Sequence, residues 1–277
     1  MTSPEIIAGW LGNYTAEGKE SEAQAALRQA LSGPWQISPG EQVLELGCGQ
    51  GDTTAVLADL VGIKGKVIAI DPAPGSYGEP KTLAESQAVL LSSPIGSRIE
   101  FRNDFDLYKD YINLENLPFD AVVMANCSWY FASKDEIRET LRLLKKIAKR
   151  LCFSEWDLEV KQMNQTAHAT AVSVQNLCHK HKLTTDGNIR TPLMKAELLD
   201  LIRSAGWTLK KIEVVRPEKT SDHLWEFNAA YALGTVIYRN KDLSKEEYDR
   251  LTGQHELLTE FKGKEMTSLD CFSLVAV

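Results

Sequence analysis

Three glycines stand at alternate positions, Gly47, Gly49 and Gly51, directly after the apolar run "QVLEL". Glycine loses more entropy on folding than other residues do, so this spacing indicates a backbone that approaches something closely. The dinucleotide-binding pattern G-x-G-x-x-G would need a glycine at position 52, which is Asp52. An acid near a helix N-terminus repels a diphosphate, so we expect a ligand other than a dinucleotide.

An acidic residue follows the glycines at a spacing typical of nucleoside binding. Asp71 ends the run "KVIAID", 20 residues after Gly51. A carboxylate at this point can accept hydrogen bonds from both hydroxyls of a ribose. The glycines and Asp71 together therefore predict a nucleoside ligand without phosphates.

The residues around this pair alternate between strand-like and helix-like segments. Five apolar runs predict strands: "QVLEL", "GKVIAID", "RIEFRND", "FDAVVMANC" and "RLCFSEW". Helical patterns separate them, one ending at Gly62 and another opening with a capping box of Ser133 and Glu136. This alternation is typical of a mostly parallel sheet covered by helices on both faces.

The segment "ELGCGQG" resembles the first motif of class I S-adenosylmethionine-dependent methyltransferases, an acid-x-Gly-x-Gly-x-Gly loop. The resemblance covers residues 41–157 and includes the spacing to Asp71. It implies a Rossmann-like α/β fold. Such a fold contains a seven-stranded, mostly parallel sheet whose last strand is antiparallel. "WTLKKIEVV" and "SLDCFSLVAV" would supply the last two strands. It also implies S-adenosylmethionine as the cofactor and methyl transfer as the reaction.

The resemblance implies roles at the methionine end of the cofactor. The three glycines and Cys48 would let the backbone pass close to the methionine part, and Glu45 would orient its amino group. Asn126 would face this end through its backbone. Tyr14 would close over the site from an N-terminal helix, or else pack with Trp10.

At the nucleoside end, the resemblance implies four residues. Asp71 would hold the ribose, and Pro72 would lie beside the adenine. Asp104 would accept a hydrogen bond from the adenine amino group, and Phe105 would contribute a backbone donor.

The same resemblance divides the chain. We expect a single domain over residues 1–277, with an N-terminal helical lid (1–35), a cofactor-binding core (36–157), a helical cap segment (158–205) and a helical insertion between the last two strands (217–264). The cap ends with a helix in "TPLMKAELLDLIRSAG", and the insertion holds helices over 221–239 and 244–262. Aromatic residues in the insertion, Trp225, Phe227, Tyr231 and Tyr238, favour a lid over a small-molecule acceptor.

Candidate acceptor residues follow the fourth predicted strand in "NCSWYF". Family members that modify adenine in nucleic acids carry D/N-P-P-Y/F/W here, so this segment argues against a nucleic-acid acceptor. Trp129 and Tyr130 would contact an aromatic or cationic acceptor, or else pack as core under the lid.

Two histidines are candidates for a general base. His168 and His179 are eleven residues apart, which returns to nearly the same face of a helix, and Gln175 lies on the same stripe. The stripe would either line an acceptor pocket or face solvent. A base is needed only if the acceptor must lose a proton. No acid cluster indicates a metal, so we expect none.

Composition narrows the partners and the compartment. With 31 basic and 38 acidic side chains, the net charge of −7 opposes binding to nucleic-acid phosphates. Five dispersed cysteines favour a reducing compartment. No signal peptide or membrane span is visible. We therefore expect a cytoplasmic enzyme with a small-molecule acceptor and without a nucleic-acid or membrane partner; its oligomeric state stays open.

Two alternatives remain at this point. A nicotinamide-dependent oxidoreductase shares the strand–glycine turn–helix plan and the acid after the second strand, but Glu45 and Asp52 argue against it. A relative that binds the cofactor without methylating remains open, because a fold does not determine a reaction. For a methyltransferase, oxygen or nitrogen is the favoured acceptor atom.

Overall fold

Seven strands form one sheet in the computed structural model, which describes residues 2–12, 19–115, 117–184 and 189–277. The strands are β1 Gln42–Leu46, β2 Lys66–Ile70, β3 Ile99–Arg102, β4 Phe119–Ala125, β5 Ala148–Trp156, β6 Leu209–Val215 and β7 Cys271–Ala276. Their order is β3-β2-β1-β4-β5-β7-β6, and β7 runs antiparallel to both of its neighbours. All other pairings are parallel, which confirms the predicted fold.

Helices connect and cover these strands. They are α1 Pro4–Trp10, α2 Lys19–Ser32, α3 Asp52–Val61, α4 Leu83–Leu91, α5 Leu107–Asp110, α6 Ile112–Glu115, α7 Lys134–Ile147, α8 Thr166–Lys180, α9 Lys195–Ser204, α10 Asp222–Ala232, α11 Gly234–Arg239 and α12 Lys245–Thr259. The predicted helix over 221–239 is two helices, α10 and α11. The short helices α5 and α6 are too brief for periodicity to reveal.

The sheet is buried on both faces because successive strand residues point to opposite sides. Val43 of β1 joins a cluster with residues of α2, α3 and α4. Its neighbour Leu44 joins a second cluster, on the other face, with residues of α7 and α9. Burying each such side chain contributes about 1.5–3 kcal/mol. The resulting layers hold the C-terminal ends of β1, β2, β4 and β5 at one edge.

A third cluster forms the cap. Side chains of α8, α10, α11 and α12 pack together there, among them Val174, Phe227, Ile237 and Leu251. The sequence places α9 in the cap as well, and this is wrong. Three of its side chains, Leu198, Leu201 and Ile202, belong to the cluster that covers the sheet.

The N-terminal helix α2 covers part of the sheet and is not only the predicted lid. Leu27 and Leu31 of α2 pack in the same cluster as Val56 of α3, so α2 is part of the layer that covers the sheet. At its other end, Glu20 accepts hydrogen bonds from the backbone N–H (2.9 Å) and hydroxyl (2.6 Å) of Ser221, just before α10. Helix α2 thus joins the sheet to the cap.

Candidate cofactor and acceptor site

The three glycines of the loop between β1 and α3 have positive φ angles of 75°, 52° and 102° in chain order. Their surroundings differ. A Cβ at Gly47 would lie 2.8 Å from the Cβ of Cys127, and one at Gly51 would lie 3.0 Å from Leu90 Cδ2. A Cβ at Gly49 would have no heavy atom within 4 Å. Protein packing therefore explains Gly47 and Gly51, whereas Gly49 borders the open space that a ligand needs.

Asp71 lies directly after β2 and is tied to this loop. The backbone N–H of Gly49 donates to Asp71 Oδ2, and that of Ala73 donates to Oδ1, each at 2.9 Å. A carboxylate oxygen can accept more than one hydrogen bond, so each oxygen keeps acceptor capacity for a ribose hydroxyl. The buried carboxylate is thus oriented before any ligand binds.

One of the predicted adenine contacts in and near the loop after β3 is contradicted by the structure. The backbone N–H of Phe105 donates to the carbonyl of Asp71 at 3.0 Å. It is therefore not free for adenine, and the prediction of a backbone donor at Phe105 is wrong. Asp104 and Pro72 are exposed, and their adenine contacts stay predictions.

Glu45 is buried on β1, next to the glycine loop, and is 2% exposed. The Thr54 hydroxyl donates to its Oε2 at 2.5 Å. Burial raises the pKa of Glu45 to about 8, and the charges of Asp52 and Asp71 act in the same direction. A nearby amino cation would favour the ionised carboxylate. The residue therefore fits the role of orienting the cofactor's amino group, which stays a prediction.

The five cysteines, including Cys48 in the glycine loop, are buried free thiols. Burial raises the pKa of each of them. Because the thiolate is the nucleophile, none of these side chains is prepared for covalent catalysis. Cys48 can contribute to the site only through its backbone or as a small neutral side chain.

Asn126 follows β4 with a positive φ of 51°. Its backbone N–H donates to the carbonyl of Ser154 at 2.8 Å, and its side-chain Oδ1 accepts from the Ser154 hydroxyl at 3.0 Å. Both groups are thus engaged with β5. A contact with the methionine end would fall to the Asn126 carbonyl.

Trp129 and Tyr130 differ in exposure. Trp129 is 3% exposed, and its carbonyl accepts from the backbone N–H groups of Arg190 (2.8 Å) and Thr191 (2.9 Å). The burial of Trp129 agrees with the core-packing interpretation, and a contact with an acceptor stays a prediction. Tyr130 is 49% exposed, yet burial among protein atoms, followed by the charge of Glu226, raises its pKa well above the usual range.

Glu155, at the C-terminal end of β5, is a buried acid that the sequence analysis did not predict as a site residue. Its Oε2 accepts from the backbone N–H (2.9 Å) and hydroxyl (2.7 Å) of Ser128, and its Oε1 accepts from the N–H of Trp156 (3.0 Å). Complete burial raises its pKa to about 7 although these hydrogen bonds oppose the shift. The carboxyl group thus holds the segment with Trp129 and Tyr130 against β5. An acid inside the apolar run "RLCFSEW" was the available signal.

His168 does not have the properties of a general base. Its ring is fully buried, and Nδ1 accepts from the backbone N–H of Leu269 at 3.0 Å, so Nε2 carries the hydrogen. The ring packs edge-on against Trp129 and Trp156. Burial lowers its pKa to about 3. The prediction of a solvated helix face is therefore wrong for His168, and its burial and lowered pKa argue against a general base.

His179 is not brought together with His168. Eleven residues along a helix amount to about 16 Å. His179 lines a cavity of about 620 Å³ whose other walls include Asn176, Lys180 and Arg190. None of the glycine-loop residues borders this cavity. A role for His179 at the methyl-transfer site therefore has no support from its position.

Polar contacts join the cap to itself and to α2. Gln175 Nε2 donates to Glu226 Oε2 at 2.6 Å, so this buried residue of the predicted stripe links α8 to α10. Gln24 Nε2 donates to Asp222 Oδ2 at 2.8 Å and links α2 to α10. The aromatic residues expected to line the lid differ in exposure: Phe227 is buried within the cap cluster, whereas Trp225, Tyr231 and Tyr238 are exposed.

Three remaining expectations concern Tyr14, a metal site and a membrane-spanning helix. Tyr14 lies outside the residues that the structure describes, so its role stays a prediction. Within the described residues, no three His, Cys, Asp or Glu side chains come together as a metal site. In that same part of the chain, every helix is too short or too polar to cross a membrane.

Comparison with known proteins places this geometry in a family. Residues 43–150 match the family described as a methyltransferase domain. Two curated methyltransferases of the fungus Diaporthe leptostromiformis, phomM' and phomM, are 26% and 25% identical over 206 residues, which are 61% of this chain and 53% of each relative. The chain thus spans about half the length of the curated relatives it matches.

A solved structure extends the similarity to the whole chain. The cyclopropane-fatty-acyl-phospholipid synthase-like protein of Lactobacillus casei is 30% identical, with a TM-score of 0.87 over 99% of this chain and 98% of that one. The likeness therefore includes the cap as well as the sheet. The sheet order, the glycine loop and these relatives agree: the chain belongs to the class I S-adenosylmethionine-dependent methyltransferases, whose cofactor is S-adenosylmethionine.

Proposed function

We propose that this protein transfers the methyl group of S-adenosylmethionine to a small molecule bound between the sheet edge and the cap. The contact between the cap and the end of the sheet carries the proposal. His168 of α8 packs edge-on against Trp156 at the end of β5, with ring centroids 5.1 Å apart, and the backbone N–H of Ser221, just before α10, donates to Glu20 on α2. The half-exposed Tyr130 follows β4 at the same edge, so the sheet, the cap and α2 would bound the acceptor space. Covered clefts of this kind typically bind small molecules.

The residues around the glycine loop fit the cofactor. Asp71 would hold the ribose hydroxyls, the open side of Gly49 would admit the methionine chain, and Glu45 would face its amino group. The cofactor supplies a sulfonium-bound methyl group that an acceptor atom takes by in-line displacement. The protein contributes alignment, up to roughly 7–11 kcal/mol in favourable cases, and exclusion of water.

The surroundings of Tyr130 favour an oxygen or nitrogen acceptor. The raised pKa of Tyr130 keeps its hydroxyl protonated, so it would donate a hydrogen bond to a polar acceptor. Burial raises the pKa of Glu226, which would make it a better proton acceptor for a hydroxyl or ammonium than an ordinary carboxylate. His168 would have no part in proton transfer. We place the enzyme in the cytoplasm, where its buried free thiols would stay reduced.

The proposal is tested with S-adenosylmethionine that carries a deuterated methyl group. The protein is incubated separately with a soluble metabolite mixture, with vesicles of unsaturated phospholipid and with nucleic acid, and products are followed by mass spectrometry. Label in a soluble metabolite supports the proposal. Label in nucleic acid alone contradicts it, and so does label in phospholipid alone, an acceptor suggested by the name of the Lactobacillus casei relative.

The design also separates the two alternatives. The Asp71→Asn variant is the negative control, because product formation should depend on this carboxylate. Binding of the cofactor without any labelled product in all three mixtures would favour a non-methylating relative. Binding of reduced nicotinamide instead would favour an oxidoreductase.

A further inference from the structure

The cavity of about 620 Å³ that His179 borders has mainly basic walls, contributed by α7, α8, α9 and the segment before α9. Four of the described residues that line it are lysine or arginine: Lys134, Lys180, Lys182 and Arg190. Glu197 is the one carboxylate among them. The local charge is therefore opposite in sign to the net charge of −7 on the whole chain. A concave surface with charges of one sign concentrates ions of the other sign.

The carboxylate of Glu197 does not neutralise this group of cations. Its Oε1 accepts from the ammonium group of Lys134, and its Oε2 accepts from the backbone N–H of Met194 at 3.0 Å. These two contacts lower the pKa of Glu197, which keeps it ionised and paired with Lys134. Within the described parts of the chain, no acidic side chain forms an ion pair with Lys180, Lys182 or Arg190. Three cations thus border the cavity without a counter-ion from these parts.

The wall that carries Arg190 is held in place by hydrogen bonds. The backbone N–H of Arg190 donates to the carbonyl of Trp129 at 2.8 Å, and its carbonyl accepts from the side-chain Nδ2 of Asn176 at 2.7 Å. The hydroxyl of Thr191 donates to the carbonyl of Phe131 at 2.7 Å. Asn176 and Thr191 are both buried. The guanidinium therefore extends from a fixed backbone, which reduces the ordering that a ligand would have to impose.

Helix dipoles account for only part of this arrangement. Lys180 is the last residue of α8, where a cation interacts favourably with the dipole. Lys134 is the first residue of α7, where the dipole disfavours a cation, and Arg190 lies outside every helix. A shared anionic ligand would account for the whole group.

We propose that this cavity binds the phosphate group of a soluble phosphorylated small molecule. Its volume lies in the range of about 300–1,000 Å³ that is typical of small-molecule sites. Lysine and arginine both bind phosphate, and its charge of about −1.5 to −2 matches several cations better than a single carboxylate would. None of the glycine-loop residues borders the cavity, so the site is separate from the proposed methyl-transfer site and does not depend on it.

The test uses inorganic pyrophosphate as the probe, with sodium acetate as a singly charged comparison. Titration calorimetry, at an ionic strength held constant with sodium chloride, gives dissociation constants for the wild type, Arg190→Gln and Lys180→Gln. The side chains of Arg190 and Lys180 are exposed, so neither substitution should impair folding. The matched control is Arg142→Gln, which removes a half-exposed arginine that is paired with Glu139 on α7, away from the cavity lining.

We expect the wild type and Arg142→Gln to bind one pyrophosphate per chain with a dissociation constant of about 0.1–1 mM, and acetate at least about tenfold more weakly. Arg190→Gln and Lys180→Gln should each weaken pyrophosphate binding by about three- to tenfold, the range of a charge contact that is partly exposed to water. Absence of pyrophosphate binding to the wild type would overturn the proposal. Equal weakening in Arg142→Gln would also overturn it, because only the net charge of the protein would then matter.

A parallel experiment distinguishes a soluble ligand from a lipid head group. The wild type and Arg190→Gln are sedimented with vesicles of phosphatidylcholine that contain or lack phosphatidic acid. We expect neither protein to sediment with either kind of vesicle. Sedimentation that requires both phosphatidic acid and Arg190, without binding of pyrophosphate, would contradict a soluble ligand and assign the cavity to a phospholipid.

Discussion

The backbone N–H of Gly49 donates to Asp71 Oδ2 at 2.9 Å, so the glycine loop is fastened to the end of β2 by the carboxylate predicted to hold the ribose. The second oxygen accepts from the N–H of Ala73. One side chain therefore shapes the loop and presents acceptors to the ligand. Changes at Asp71 should affect stability and cofactor affinity together.

Asp71→Asn should weaken both properties. The amide would direct a donor at the N–H of either Gly49 or Ala73, which leaves one of these buried bonds unmade. We expect a loss of about 1–3 kcal/mol in the free energy of unfolding, measured in urea, and more than tenfold weaker binding of S-adenosylhomocysteine. Asp135→Asn, at an exposed position, is the control. Wild-type affinity in Asp71→Asn would exclude the ribose assignment.

Alanine at Gly47 and at Gly49 should have different consequences. Gly47→Ala places a methyl group 2.8 Å from the Cβ of Cys127, so it should mainly reduce stability. Gly49→Ala meets no protein atom within 4 Å, so it should cost about 1–2 kcal/mol for its positive φ and abolish most cofactor binding. Urea unfolding and calorimetry on both variants distinguish the two roles. Normal affinity in Gly49→Ala would show that the ligand does not pass this residue.

The raised pKa of Glu45 makes the stability of the ligand-free protein depend on pH. Because the folded pKa of about 8 exceeds the usual value of 4.5, the folded state holds a proton that the unfolded state has lost. Stability should therefore fall as pH rises between these values, by about 1.4 kcal/mol per pH unit for this group. Glu155, with a pKa of about 7, adds to the slope up to that pH.

Glu45→Gln keeps the shape of this side chain and removes its titration. The variant should therefore lose less stability than the wild type between about pH 7 and pH 8, where Glu155 contributes little. Urea unfolding at several pH values measures both slopes. Parallel curves for the two proteins would show that Glu45 is already ionised in the folded state.

His168 should not titrate near neutral pH. Burial lowers its pKa to about 3, and its Nδ1 is held by the N–H of Leu269. Imidazole NMR signals, assigned with a His168→Gln variant, should remain those of the neutral ring between about pH 5 and pH 8. A midpoint near the ordinary histidine value would instead show solvent contact and restore the residue as a candidate base.

Local patterns account for what the sequence predicted well. The strand "QVLEL", the glycines after it and Asp71 lie within one strand–helix–strand unit, where short-range rules on periodicity and turn geometry apply. The number of strands and the antiparallel last strand followed from the family resemblance. Here the predicted elements and the structure agree within a few residues.

Contacts between distant segments account for what the sequence missed. Glu20 on α2 bonds to Ser221, 201 residues further along the chain, and no local pattern reveals that contact. The sequence cannot show that the backbone N–H of Phe105 is engaged, because its partner is the carbonyl of Asp71, which follows a different strand. The small residues of α8 give that helix little amphipathic signal, so the sequence could not show that His168 is buried against Trp129 and Trp156.

Titration calorimetry of the wild-type protein with S-adenosylhomocysteine, and with NADH in a parallel experiment, tests the central claim most directly. The glycine loop and the oriented Asp71 carboxylate predict micromolar binding of S-adenosylhomocysteine at one site per chain and no measurable heat from NADH. Binding of NADH, or no binding of S-adenosylhomocysteine, would contradict the assignment of this cleft to S-adenosylmethionine.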